Sequence, residues 1–273
     1  MKRLTISLLI LLLVSSAEGK ETNYTASTPA NAVVKSFLGI PLADSIDFIR
    51  WKITMNDKYY ILHCNYGTSK PNTNGFINGG KKIELTGILE KEGNYYKLKN
   101  GTKVLRVLKL NNDLLHFADD NNNLLIGNGG WSYALNNIAP GLTDVISITP
   151  KETILKDSMV FEGRTPCGVP GIIPAGMQCY KLKWYIVLYA DAAKKEPASY
   201  KVFGTPWRKQ GGRTGNWKIE KSSKGRVFYN LYDENGKVLI SLLKADENIL
   251  LFTDEKGNLL IGNEDFSYAL NKR

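Results

Sequence analysis

The chain nearly repeats itself. Asp113–Asn136 reads DLLHFADDNNNLLIGNGGWSYALN and Asn248–Asn271 reads NILLFTDEKGNLLIGNEDFSYALN, with 14 of 24 positions identical at a constant offset of 135. Upstream the match thins but keeps landmarks. Asn100-Gly101 answers Asn235-Gly236, Lys109 answers Lys244, and the Trp51 segment RWKI answers KWYI around Trp184 at an offset of 133. A period this long, present twice, indicates two tandem domains and not a solenoid, whose repeats run about 20–50 residues. Copy one is read as about 32–138 and copy two as about 157–273.

Each copy reads as strands. In Tyr180–Tyr189, Tyr180, Leu182, Trp184, Ile186 and Leu188 alternate with Lys181, Lys183, Tyr185, Val187 and Tyr189, the period of two that lays one strand face on a core. Further strands are expected at Ser199–Thr205, Gly215–Ile219, Arg226–Tyr232, Val238–Leu243, Ile249–Thr253, Asn258–Gly262 and Phe266–Leu270. Turn signals such as Glu234-Asn235-Gly236 and Asn121-Asn122-Asn123 separate the runs, and helical periodicity is weak. The fold class is therefore all-β, two tandem small antiparallel β-barrel or meander domains. Within the repeated segment, Asp119 and Asp254 are expected to cap turns. Leu124-Leu125-Ile126 and Leu259-Leu260-Ile261 should form buried strands, and Gly127 and Gly262, with Asn128 and Asn263, should supply positive φ for the reversal. Tyr133 and Tyr268 lie on the last strand.

The N-terminus indicates a compartment. Met1–Gly19 combines Lys2 and Arg3, an apolar run Ile6–Val14 and a small-residue end Ala17-Glu18-Gly19, the three-part pattern of a cleaved secretory signal. No cysteine follows the apolar run until Cys64, so no lipidation site adjoins the cleavage point, and no transmembrane segment is expected later. The sequence divides into a signal peptide 1–19, a barrel domain 20–140, a linker 141–156 and a second barrel domain 157–273. A periplasmic or secreted location follows, where disulfides persist. The net charge of +10 comes from interspersed charges and no nucleic-acid motif appears, so nucleic acid is not an expected partner. An anionic envelope surface or a small hydrophobic ligand fits better.

The copies differ in cysteine content. Phe161–Tyr180, FEGRTPCGVPGIIPAGMQCY, reads as an insert relative to the shorter Phe37–Arg50, which has no cysteine. Cys167 and Cys179 bracket a Pro- and Gly-bearing loop. Two readings stand for this pair. One is a disulfide, which would stabilise by ~3 kcal/mol on the chain-entropy model. The other is a soft metal site, with Met177 adding a thioether to two thiolates, the ligand set that selects Cu(I). A pair that switches between the two states would be a redox element.

These motifs resemble a known family. A GRTPC loop is followed in order by KLKWYIVLY, YKVFGT, GNWKI and a closing LLxFxDxxGNLLIG…SYAL. The order is similar to the N-terminal domain of the NlpE family of envelope copper-resistance lipoproteins. The resemblance covers Met159–Arg273 and reaches copy one through the duplication. It implies a lipocalin-type barrel, copper tolerance and envelope-stress signalling. In that family the cysteines form a compact Cys-x-x-Cys, whereas Cys167 and Cys179 stand twelve positions apart and no lipid anchor is seen.

The other chemical residues read as structural. Cys64 beside His63 cannot easily share a ligand, because neighbouring strand residues face opposite ways, and one of the two should face the core. His116 stands where copy two has Leu251. Arg208 and Arg213 flank a hairpin tip able to grip an anion or to sit solvated. No Gly-x-Ser-x-Gly, His-Glu-x-x-His or phosphate-binding Gly-rich loop appears, and copy two has no histidine. A non-enzymatic envelope protein is the expectation, handling copper or sensing redox state through Cys167 and Cys179. The alternative is a small-molecule or lipid binding module in which that pair is a structural disulfide.

Overall fold

Alternating burial closes each copy on itself. The computed structural model describes residues 20–141, 148, 155–173 and 178–273; the expected signal peptide 1–19, most of the expected linker 141–156 and Met177 lie outside them. In copy one, β1 (Thr22–Thr28), β2 (Phe48–Met55), β3 (Tyr59–Gly67), β4 (Lys81–Glu92), β5 (Tyr95–Asn100), β6 (Lys103–Lys109), β7 (Leu114–Ala118) and β8 (Ala134–Asn137) pair antiparallel in chain order. β8 returns to β1. Copy two does the same with β9 (Ser158–Thr165), β10 (Leu182–Asp191), β11 (Glu196–Gly204), β12 (Arg213–Lys221), β13 (Val227–Tyr232), β14 (Val238–Lys244), β15 (Ile249–Phe252) and β16 (Ala269–Lys272). Two closed eight-stranded barrels result, an architecture without exposed sheet edges. No helix among the described residues is long and apolar enough to cross a membrane.

The inward faces carry large side chains. Trp51, Tyr60, Phe117 and Tyr133 fill barrel one, and Trp184, Tyr200, Trp217, Tyr229 and Phe252 fill barrel two, each almost wholly buried. At eight strands, side chains suffice to occupy a barrel interior. The alternation expected in Tyr180–Tyr189 holds at Leu182, Trp184, Ile186 and Leu188, while Tyr180 precedes the strand and is exposed.

Each barrel is stoppered at one end by the connection between its first two strands. In barrel one this is α1 (Ala32–Leu38), whose Val34, Phe37 and Leu38 enter the core. Asn31 caps α1 by accepting from the Val34 N–H at 3.1 Å, and Gly39 closes it with φ 73°. The buried Lys35 sends its ammonium to the Leu42 and Asp44 carbonyls at 3.1 and 2.6 Å. In barrel two the cysteine loop takes this place. Copy two therefore has no insert: its connection Pro166–Lys181 is the shorter one, and copy one begins at β1, not near residue 32. The sequence comparison failed here because helix and loop share a task and no residues.

Two outer sheet faces meet between the barrels. Leu108, Leu110, Leu114, Ala118, Leu124 and Ala134 pack in one buried cluster with Leu243, Ala245, Ile249, Leu251, Leu259 and Ala269. Most of these pairs are related by the offset of 135. The contact is thus isologous, with the same patch used by both copies. Gly127 N–H donates to Asn271 Oδ1 at 2.7 Å, and Gly262 N–H donates to Asn136 Oδ1 at 2.8 Å. The Ser132 and Ser267 hydroxyls bond each other on the pseudo-two-fold axis. Arg50 meets Asp265 at 2.5 Å, and the Arg164 guanidinium lies 5.8 Å from the Trp131 ring centroid.

This contact revises the reading of the repeated segment. Asp119 and Asp254 do cap turns, accepting from Asn121 and Asn123, and from Lys256 and Asn258. None of Gly127, Gly262, Asn128 and Asn263, however, adopts positive φ. A Cβ on Gly127 would lie 2.8 Å from Asn271 and collide with the Trp131 carbonyl, so glycine is needed there for close approach. The asparagines hold the turn through their side chains: Asn128 accepts from Gly130 and Trp131, and Asn263 from Asp265 and Phe266. Leu124 and Leu125 are buried, but Ile126 is 45% exposed. The Asn258–Gly262 run contributes one isolated bridge, Thr253 to Leu259, and the last strand starts at Ala269 and not at Phe266.

Candidate functional site

The cysteine loop is anchored from three directions. Cys167 and Cys179 form a disulfide, with Cα atoms 5.9 Å apart. Val169 and Ile172 are buried among Trp184, Tyr268 and Leu270, and Cys179 packs against the same cluster. Trp184 Nε1–H donates to Thr165 Oγ1 at 2.9 Å, and that hydroxyl donates to the Pro166 carbonyl at 2.9 Å. Gly168 N–H donates to the Tyr268 hydroxyl at 3.0 Å. Burial raises the Tyr268 pKa, so the ring stays neutral and accepts that bond.

Copy one builds the same entry without cysteine. Trp51 Nε1–H donates to Thr28 Oγ1 at 2.8 Å, Thr28 donates to the Pro29 carbonyl, and Tyr133 bonds the Asn31 backbone. The Trp–Thr–Pro relay and the lid-holding tyrosine are thus common to both barrels. The lid itself differs: a capped helix in one, a disulfide loop in the other. The two cysteines and both repeat tyrosines were visible in the sequence; the convergence of Tyr268 on the cysteine loop was not.

The remaining sequence candidates are scattered. Cys64 points into the core of barrel one, and burial holds its thiol well above the usual range. His63 points outward, 3.3 Å from Glu84. His116 is fully buried on the strand face shared with Leu114 and Ala118; its Nδ1 meets the Phe117 carbonyl at 2.8 Å and its Nε2 has no hydrogen-bond partner. Arg213 pairs with Glu234 at 2.9 Å near Trp207, which packs on the barrel core. Among the described residues no cluster of three or more His, Cys, Asp or Glu side chains could hold a metal ion.

The opposite end of barrel one holds a feature that the sequence did not reveal. A cleft of about 500 Å³ opens between the β2–β3 and β6–β7 turns, lined by Tyr24, Met55, Leu89, Lys91, Tyr96 and Lys109 among others. Strand register equates Leu89 with Trp217, Lys91 with Ile219 and Tyr96 with Tyr229, since Leu89 faces Leu98 and Trp217 faces Leu231. Trp217 closes the corresponding end of barrel two. Its indole donates to the Tyr189 carbonyl at 2.7 Å and its ring lies 5.1 Å from Tyr229. The sequence match between copies is too thin in this region to have aligned Leu89 with Trp217.

No protein-family model matches the chain, no curated protein matches it, and no solved structure matches it.

Proposed function

We propose that this chain is a non-enzymatic envelope protein that responds to the redox state of its surroundings through Cys167 and Cys179. The observation that carries the reading is the double role of the cysteine loop. The same segment that holds the disulfide also buries Val169 and Ile172 in the stopper of barrel two. Thiol state and barrel closure are therefore coupled. A dithiol of the surroundings would reduce Cys167–Cys179 to two thiols and leave as a disulfide itself. The lid would then lose its covalent clasp and, among the described residues, keep the Gly168–Tyr268 bond and the apolar anchors Val169, Ile172 and Ile173. Barrel one performs the same closure with α1, which has no redox chemistry. That asymmetry favours a responsive role over a staple alone.

The reduced pair also suits Cu(I) as cargo. Cys167, Cys179 and Met177 would present two thiolates and a thioether, soft donors matched to that ion. The resemblance to the NlpE family points the same way. A signal sequence at 1–19 would deliver the chain to a periplasmic or extracellular space, where the disulfide forms.

The test is an anaerobic Cu(I) competition titration on the reduced chain beside Cys167→Ser/Cys179→Ser. Tight binding lost in the double variant supports the copper arm. Equal binding in both would remove it and leave the redox lid to be judged on its own.

A further inference from the structure

The two barrels are built on one plan, yet one end is open in barrel one and plugged in barrel two. Three substitutions account for it. Leu89 stands where Trp217 fills barrel two, so the indole volume is missing. Lys91 replaces Ile219 and brings a cation to the rim. Asn112 stands at the offset-135 position of Glu247, which in copy two holds the buried Lys244 ammonium at 2.5 Å. Its counterpart Lys109 faces the cleft beside a neutral Asn112 instead.

The floor of the cleft is apolar and its rim is mixed. Met55 and Leu89 are buried beneath Tyr24 and Tyr96, and the Tyr24 hydroxyl, absent from the matching Phe161, donates to the Asn112 carbonyl at 2.7 Å. The acidic groups at the rim are already engaged. Asp57 takes the Lys91 ammonium, Glu21 accepts from the Tyr59 hydroxyl at 2.8 Å, and Asp113 accepts from Asn137 Nδ2 at 2.7 Å and Gly141 N–H at 3.0 Å. The lining is about as polar as it is apolar, its apolar surface gathered on Met55, Leu89, Tyr24 and Tyr96 and its charges at the rim, a pairing that suits a ligand with an apolar body and a polar head.

We propose that this cleft binds an amphipathic organic anion, its apolar body on Met55 and Leu89 and its acidic head at Lys109, with Lys91 held at the rim by Asp57. The site lies at the far end of the molecule's other barrel from the cysteine lid and does not depend on the redox reading.

The chain itself offers the control, because barrel two shows which residue closes the end. Binding of 8-anilinonaphthalene-1-sulfonate to the oxidised full chain is followed by fluorescence, with dodecanoate and dodecyltrimethylammonium as competitors of equal chain length. Wild type should bind with dodecanoate the better competitor. Leu89→Trp, with an unchanged circular dichroism spectrum, should weaken binding at least about tenfold. Lys91→Ile/Lys109→Gln, which alters only half-buried or exposed positions, should abolish the preference for the anion while keeping the fold. No dye binding by wild type, equal binding by a folded Leu89→Trp, or equal competition by the cation would each overturn the proposal. If Leu89→Trp does not fold, the lysine variant decides: retained anion preference there sinks it.

Discussion

Gly127 and Asn271 sit on different barrels and share a 2.7 Å hydrogen bond, and Gly262 and Asn136 repeat it at 2.8 Å in the opposite direction. This reciprocity explains why the identity between copies peaks over this segment. An isologous contact requires each copy to be both donor and acceptor, so the same residues serve on both sides. The buried leucines, isoleucine and alanines around the two bonds join the barrels in one apolar cluster.

Asn136→Ala and Asn271→Ala should each cost about 1 kcal/mol, because each leaves a half-buried glycine N–H without its acceptor. Denaturant unfolding, followed by probes in both barrels, should show one coincident transition in wild type. Two separated transitions would mean that the barrels are independent.

Gly127→Ala and Gly262→Ala should destabilise by roughly 1–3 kcal/mol through overpacking, since each new methyl meets the partner barrel's asparagine and its own chain. Gly236→Ala is the contrast: φ there is 74°, but no atom lies within 4 Å, so any cost is local backbone strain. An unchanged barrel contact in Gly127→Ala, read from amide shifts across the interface, would contradict close approach as the reason for glycine.

His116 provides a pH signature. Burial lowers its pKa from 6.5 to about 4. The unfolded chain therefore binds a proton that the folded chain refuses. The stability is fully present above pH 6.5 and is lost as the pH falls through that window toward 4, by about 3 kcal/mol at the lower end. His116→Leu, which installs the residue of copy two, should flatten that part of the stability profile. An unaltered slope between pH 6.5 and 4 would refute the assignment.

How much of this was legible in the sequence depends on range. The strands were, because alternation in runs such as Leu182–Leu188 is local, and so was the duplication. The short helix α1 was not: it spans seven residues, and its signals are the single caps Asn31 and Gly39. The barrel contact was hidden because Asn136 and Asn271 read alike whether they bond within a copy or between copies. The cleft was hidden because it is defined by what Leu89 lacks relative to Trp217, a comparison that needs strand register. Cys167 and Cys179 were legible as a pair, but not their place in the stopper.

Tyr268→Phe isolates one anchor of the lid. It removes the hydroxyl that accepts from Gly168 and leaves the ring in the core. Stability should fall by only about 1 kcal/mol, while reduction of Cys167–Cys179 by dithiothreitol should accelerate, as timed by thiol alkylation and mass spectrometry. An unchanged rate would show that the hydroxyl does not restrain the loop.

The redox lid itself is tested most directly by hydrogen exchange on the oxidised and reduced full chain at equal pH. The account predicts that on reduction amides of Gly168–Ile172 and of the adjoining β9 and β10 ends lose protection, while α1 of barrel one is unaffected. Equal protection of the lid in both states would contradict it, and would make the disulfide a staple without a regulatory part.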